Sequence, residues 1–181
     1  DSRWRSAAMY ASAKYLIGEK TILNASLRFS NIYAHSVFDK TFFNFPFAEA
    51  TLTNNALNGA VGFVFSPKTK MKLYANLSTG FRAPNIDDIG KVFESVPGQV
   101  TVPNPDLDSE YAYNLEGGVA WAISERISLD FAAYHTIIDN AISRGPASFN
   151  GQDSIEYDGS MSKVLSLQNI SSMTVSGVQG G

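Results

Sequence analysis

From Arg5 to Val178 the chain repeats one pattern: segments of alternating apolar and polar residues, joined in turn by a short connection and a long one. In Thr21–Ile32, Leu23, Ala25, Leu27 and Phe29 alternate with Asn24, Ser26, Arg28 and Ser30. In Met71–Thr79, Met71, Leu73, Ala75 and Leu77 alternate with Lys72, Tyr74, Asn76 and Ser78. Successive side chains of a strand point to opposite faces, so this alternation predicts strands with one apolar face. The same reading holds for Glu110–Ala122, where Tyr111, Tyr113, Leu115, Val119 and Trp121 oppose Asn114 and Glu116. It holds for Ile127–Ile137, where Ile127, Leu129, Phe131 and Ala133 oppose Ser128 and Asp130. Leu57–Phe65 puts Leu57, Val61, Phe63 and Phe65 on one face with Gly59 among them, and Arg5–Ile17 is a weaker strand with Ala7, Met9, Ala11, Ala13 and Tyr15 on one side. A last strand, Val164–Gln179, loses its phase at Ile170–Met173, where a bulge is predicted.

The connections constrain the fold further. Gly18-Glu19-Lys20, Pro67-Lys68-Thr69-Lys70 and Ser124-Glu125-Arg126 are tight turns, whereas Tyr33–Ala56, Arg82–Ser109 and Ala141–Lys163 are long. Strict alternation puts the short turns at one end of the strands and the long loops at the other, as in transmembrane barrels. Strands of about nine to eleven residues also suit a tilted membrane crossing better than a usual globular strand of about five or six. The predicted fold is all-β: an antiparallel up-and-down meander of about seven strands from a larger transmembrane barrel, since plugged barrels have about 22. Apolar faces meet lipid and polar faces line the lumen. The arc would have two unpaired edges.

Composition enters only to exclude. No apolar run approaches the length of a spanning helix, and alternation dilutes hydropathy in a barrel strand. The net charge of −3 gives no basic footprint for a nucleic acid. The chain has no cysteine, so disulfides and thiolate metal sites are ruled out. It starts at Asp1 without a signal peptide and ends inside a strand pattern at Val178-Gln179-Gly180-Gly181. The expectation is a barrel piece, residues 1–181, cut at both ends.

The most specific stretch runs from Lys72 to Gly118: KLYANLSTGFRAPNIDDIGKVFES, followed by VPNPDLDSEYAYNLEGG. Its loop is bracketed by Phe81-Arg82-Ala83-Pro84-Asn85 and Asn104-Pro105-Asp106-Leu107. The pair resembles the C-terminal barrel region of TonB-dependent outer-membrane receptors. There a strand of the type "lYaN.S.GFRAPn" leads into a long external loop, and "NP.L..E.a.n.E.G" starts the return strand. Leu23–Tyr33, Tyr134–Ile142 (YHTIIDNAI) and Gln168-Asn169-Ile170 with Val175-Ser176-Gly177-Val178 look like further strands of the family. Gln179 departs from the pattern, which has an acidic residue there. The resemblance covers about Tyr10 to Val178 and implies a barrel in the outer membrane of a Gram-negative bacterium, plugged by an N-terminal domain that is absent here. Such a receptor takes up a scarce nutrient, an iron chelate, cobalamin or a glycan, with energy delivered through TonB; it is no enzyme and carries no cofactor. Its partners would be outer-membrane lipid, its own plug, TonB and the extracellular nutrient. The resemblance casts Phe81, Pro84, Asn104, Pro105, Leu107 and Glu110 as structural motif residues. Arg82, Asn85, Phe43 and Phe45 are the candidates for ligand contact in the lumen or outer loops. The rival reading is a soluble, secreted all-β ligand-binding module, which requires both strand faces to be partly buried in protein.

Individual residues carry competing readings. Arg82 either faces the lumen to contact the plug or an anionic ligand group, or pairs with a neighbouring carboxylate and orders the strand end. Pro84 stops strand pairing and directs the chain into the loop. The carboxylates Asp87, Asp88, Asp106, Asp108 and Glu110 match no calcium-loop spacing, and Asp and Asn beside Pro are ordinary turn formers. His35 is placed in a loop and His135 near the top of a strand, neither with a partner at metal-ligand spacing. Asp130 lies five residues from His135 and on the opposite face, so no general-base pair forms. Trp121, Tyr15 and Tyr33 fall near predicted strand ends, as girdle aromatics or as packing. Phe38, Phe42, Phe43, Phe45 and Phe47 make an aromatic loop that either contacts a ligand or folds back on itself.

Overall fold

The computed structural model describes residues 2–38, 48–90 and 92–181. In chain order the elements are β1 (Ser2–Ile17), β2 (Thr21–Val37), β3 (Glu49–Lys68), β4 (Met71–Arg82), α1 (Ile86–Gly90), β5 (Phe93–Val96), β6 (Gln99–Val102), β7 (Glu110–Ala122), β8 (Ser128–Asp139), β9 (Ile142–Pro146), β10 (Ser154–Tyr157), β11 (Ser160–Asn169) and β12 (Ser172–Gly180). Seven of them make one antiparallel wall in the order β1-β2-β3-β4-β7-β8-β12, open at β1 and β12.

The ladder puts the apolar sets of successive strands on one face: Tyr15 opposite Leu23, Leu23 opposite Phe63, Leu77 opposite Val61 and Leu115, and Val119 opposite Phe131. Most of these side chains are exposed, with Leu23 and Val119 half-buried. Met9 is 72% exposed, Leu57 63% and Leu115 56%. The other face carries Asn24, Gly62, Asn76 and Glu116 in one cross-strand row. Large apolar groups outside and small polar groups inside invert the pattern of a water-soluble domain, and lipid is the solvent that favours it. The rival soluble module required both faces to be partly buried in protein; the exposed outer face does not meet that condition. From Ile17 up to Ala7 the apolar strip of β1 spans roughly 25 Å along the normal, at about 3.3 Å per residue and a tilt near 40°, which matches a barrel's lipid band.

The wall rises above that band. Tyr33–Ala56 was expected to be a connection, but β2 continues to Val37 and β3 begins at Glu49, with Tyr33 paired to Thr53 and His35 to Thr51. Above the apolar strip the outward residues turn polar, so the alternating signal fades although the ladder persists. His35 is accordingly a strand residue, not a loop residue. The predicted last strand also divides. Residues 160–169 form β11 in a second sheet, and residues 172–180 form β12 in the wall. The phase break is a passage between sheets, where the Ile170 amide donates to the Ala141 carbonyl at 2.8 Å, not a bulge.

The other two long connections fold together. β5 and β6 from the first, with β9, β10 and β11 from the second, make a five-stranded sheet. β6 and β11 pair in parallel, Val100 opposite Val164, so segments distant in sequence share one core. Val100, Val102, Phe149 and Val164 fill it. Asn150-Gly151 and Asp158-Gly159, all at positive φ, make its tight turns. A second cluster fixes this roof to the wall: Ile89 of α1 and Leu107 pack on Ala34, Ala50 and Leu52, which are inward residues of β2 and β3. Lower on the same inner face, Tyr74 lies across Gly118, where an added Cβ would come within 2.6 Å of the ring.

Candidate ligand-facing site at the strand ends

β4 ends with Arg82 directly opposite Glu110, the first residue of β7. The Arg82 guanidinium donates from Nη1 to Glu110 Oε1 and from Nη2 to Asp88 Oδ2, each at 2.9 Å. The second Glu110 oxygen accepts the Ile142 amide at 2.8 Å, so one carboxylate ties the wall to the start of β9. Pro84, fully buried, has no amide to extend the ladder. Asn85 then caps α1: its Oδ1 accepts the Asp88 amide at 2.9 Å, and Asp88 Oδ2 accepts the Asn85 amide at 3.0 Å. That reciprocal pair is the logic of a capping box. It commits Asp88 to Arg82 and to the helix start at once.

The return arm uses the same devices. Asn104 donates from Nδ2 to the Leu167 carbonyl at 2.9 Å and accepts the Asp106 amide at 3.1 Å, turning the chain beside Pro105. Leu107, only 4% exposed, enters the cluster with Ile89. Asp108 donates its amide to Asn169 Oδ1, and Asn169 Nδ2 donates back to the Asp108 carbonyl and to the Asn140 carbonyl. One side chain thus joins the ends of both loops and of β8. Phe81 and Tyr111 meet at 6.2 Å between ring centroids on the outward face.

Between α1 and the loop sheet lies a cavity of about 380 Å³, lined by Arg82, Asn85, Asp87, Phe93, Thr101 and Arg144 among others. The Arg144 guanidinium sits 5.3 Å above the Phe93 ring. The Thr101 hydroxyl is buried and makes no hydrogen bond among the described residues. Both charge signs, a hydroxyl and an aromatic face make the cavity suited to a polar ligand that both donates and accepts hydrogen bonds.

Two ligand candidates, Arg82 and Asn85, are therefore together at this cavity. The other two, Phe43 and Phe45, lie outside the described residues, as do Phe42 and Phe47. Phe38 is described and packs against both core clusters. His35 shares a hydrogen bond with Thr51 Oγ1 at 3.0 Å, and His135 Nδ1 lies 2.7 Å from Ser176 Oγ on the outward face. Among the described residues no three His, Cys, Asp or Glu side chains gather as a metal site. Tyr15 and Trp121 stand on the outward face beside the short turns, and Tyr33 lies on the same face towards the loop end. Thr101 and Arg144 were not among the candidates read from the sequence. Asn150-Gly151 and Asp158-Gly159 were readable as hairpin turns and would have revealed strands in the last loop. Asn169 stood out only within the Gln168-Asn169-Ile170 resemblance; its bonds to partners 29 and 61 residues away are not readable locally.

Comparisons with known proteins agree with this geometry. A sequence model of the family described as TonB dependent receptor-like, beta-barrel, matches residues 1–181. No curated protein matches the chain. Among solved structures, the chain is similar to a double mutant of the Serratia marcescens hemophore receptor HasR in complex with its hemophore HasA and heme (TM-score 0.71, 15% identity, 96% of this chain and 30% of that one). It is similar to the FrpB iron transporter from Neisseria meningitidis, F3-3 variant (TM-score 0.67, 15% identity, 99% and 23%). It is also similar to the copper transporter OprC (TM-score 0.76, 15% identity, 99% and 27%). At this identity the likeness is one of fold, and the chain spans between 23% and 30% of the length of these three structures.

Proposed function

The chain belongs to the TonB-dependent receptor β-barrels, a family of Gram-negative outer-membrane proteins, and on that premise we propose that residues 1–181 supply part of the wall and outer loops of a receptor for active nutrient uptake. The observation that carries the reading is the pairing of a bare apolar outer face with a polar inner face roofed by its own loops. A wall of this kind separates lipid from an aqueous path, and the roof presents a polar cavity at the mouth of that path. On this reading Arg82 and Asn85, with Arg144 and Thr101, contact the nutrient, an iron chelate, cobalamin or a glycan; their shared lining of the cavity supports it.

The chain matches only a fraction of the length of the similar structures. The plug domain and the segment that contacts TonB belong, on this reading, to other residues of a longer protein. Transport draws on the inner-membrane proton gradient through TonB, and the wall contributes no chemical step. The test is uptake of radiolabelled ferric chelates, cobalamin and oligosaccharides by cells producing the full-length receptor, with and without TonB. TonB-dependent accumulation of one of these, with the receptor in the outer-membrane fraction, is the expected result. Recovery of the receptor in the soluble fraction overturns the proposal.

A further inference from the structure

Thr101 sits between Val100 and Val102 on β6, and strand alternation turns it away from the core that the two valines fill. On that other face it stands opposite Phe93 of β5 and Leu165 of β11, while Arg144 of β9 stands opposite Leu167. The same face forms one side of the 380 Å³ cavity, with Arg82 and the start of α1 on the other. Thr101 is 2% exposed, and its hydroxyl makes no hydrogen bond among the described residues. A buried hydroxyl without a partner has lost its bond to water, and a ligand hydroxyl restores it.

The charges around the cavity are matched: Arg82 and Arg144 line it together with Asp87 and Asp88. Arg82 is held by Asp88 and by Glu110, each at 2.9 Å. A polyanionic iron chelate would have to draw Arg82 from both carboxylates and sit beside Asp87, a like charge. A catechol ring would find Phe93 covered on the face that Arg144 occupies. Three hydrogen-bonding positions stay open. The Asp87 carboxylate and Asn85 Nδ2 make no hydrogen bond among the described residues, and the Thr101 hydroxyl is the third. An acceptor, a donor and a group that is both suit neighbouring hydroxyls on a sugar ring. The volume of about 380 Å³ is near the small end of the roughly 300–1,000 Å³ usual for ligand pockets, enough for a sugar unit and too little for a corrinoid. We infer that this cavity takes a sugar unit of a neutral glycan, whose hydroxyls donate to Asp87, accept from Asn85 Nδ2 and bond the Thr101 hydroxyl. The inference rests on the uptake reading above and selects one substrate class from it.

The test is calorimetric titration of the full-length receptor in detergent, shown to be folded by a heat-modifiable band on gels. The probes are neutral gluco-, manno- and galacto-hexasaccharides, the same chains oxidised at C6 to uronates, a ferric tris-catecholate and cyanocobalamin. The expected result is binding of at least one neutral hexasaccharide, with its uronate form about tenfold weaker through repulsion by Asp87. Asp87→Asn weakens the neutral sugar about tenfold, the size of one hydrogen bond to a charged group, and narrows the gap to the uronate. Thr101→Val keeps the β-branched shape, removes a hydroxyl that has no partner in the protein, and weakens the neutral sugar somewhat less. Binding of no neutral sugar, equal binding of the uronate, or unchanged affinity in either variant overturns the inference. Binding of the ferric chelate or cobalamin in place of every neutral sugar overturns it too, while the uptake reading stands. Recovery of the receptor in the soluble fraction is the result that overturns the uptake reading itself.

Discussion

Leu57 and Leu107 are the same residue type in two regions built on opposite rules. In the wall Leu57 is 63% exposed; in the roof Leu107 is 4% exposed, packed with Ile89 on Leu52. The roof follows the chemistry of a small soluble domain: Val100, Val102 and Val164 inside, turns at Asn150-Gly151 and Asp158-Gly159 outside. The wall is satisfied by backbone hydrogen bonds between strands and leaves its hydrophobes exposed on the outer face. One chain therefore carries two solvents' worth of patterning. The border runs through Arg82 and Glu110, where the β4–β7 ladder ends and the loops begin. The comparison teaches that hydrophobic burial organises the loops, while hydrogen-bond closure organises the strands that present them.

The sharpest way to break the contrast is to remove a roof side chain and watch the wall. Leu107→Ala should cost about 2–5 kcal/mol of local stability, the usual penalty for emptying a packed leucine site. Hydrogen exchange in the full-length receptor should rise across 83–109 and 141–169 while amides of β1, β2 and β3 stay protected. Rising exchange in the wall as well would show that the two regions fold as one unit.

A slightly smaller effect tests the wall. Leu77→Arg puts a charge on the outward face, and its cost in lipid is about 2–4 kcal/mol near the bilayer centre. Ser78→Arg, one residue on, points to the polar face and should be tolerated. Folding yield into lipid vesicles for the two variants decides it, and equal yields would mean that the outward face does not meet lipid.

At the border, Glu110→Gln removes the charge that holds Arg82 while keeping an acceptor for the Ile142 amide. The loss should be about 1–3 kcal/mol, towards the lower end because the Arg82 side chain is 47% exposed. Limited proteolysis should then cut the roof faster without releasing the barrel. Last, Asn85→Ala removes the α1 cap for about 1 kcal/mol. Its effect should appear as faster exchange of the Asp88 amide, with ligand uptake reduced less than by Glu110→Gln.

Legibility followed the same border. Alternation in Met71–Thr79 and Glu110–Ala122 announced β4 and β7 directly, because an apolar outer face and a polar inner face write a two-residue period into the strand. The same signal failed at residues 49–56, where Thr51, Thr53 and Asn55 take the outward positions that hydrophobes hold lower on the wall. In the candidate site, Arg82 and Asn85 stood out through the motif around Phe81–Asn85. Thr101 and Arg144 did not, since their roles depend on two loops meeting.

The sequence by itself determined the wall: strand periods, short turns at one end, long loops at the other, and a family resemblance centred on Phe81–Asn85 and Asn104–Glu110. Those features are local, set by neighbours along the chain and by which solvent each face meets. Only the tertiary structure decided that β6 and β11 pair in parallel, Val100 opposite Val164, that Asn104 bonds the Leu167 carbonyl 63 residues away, and that the long loops form one roof seated on β2 and β3. Such contacts rest on the fit of side chains from distant segments around a shared core. A fit of that kind leaves no period in the sequence.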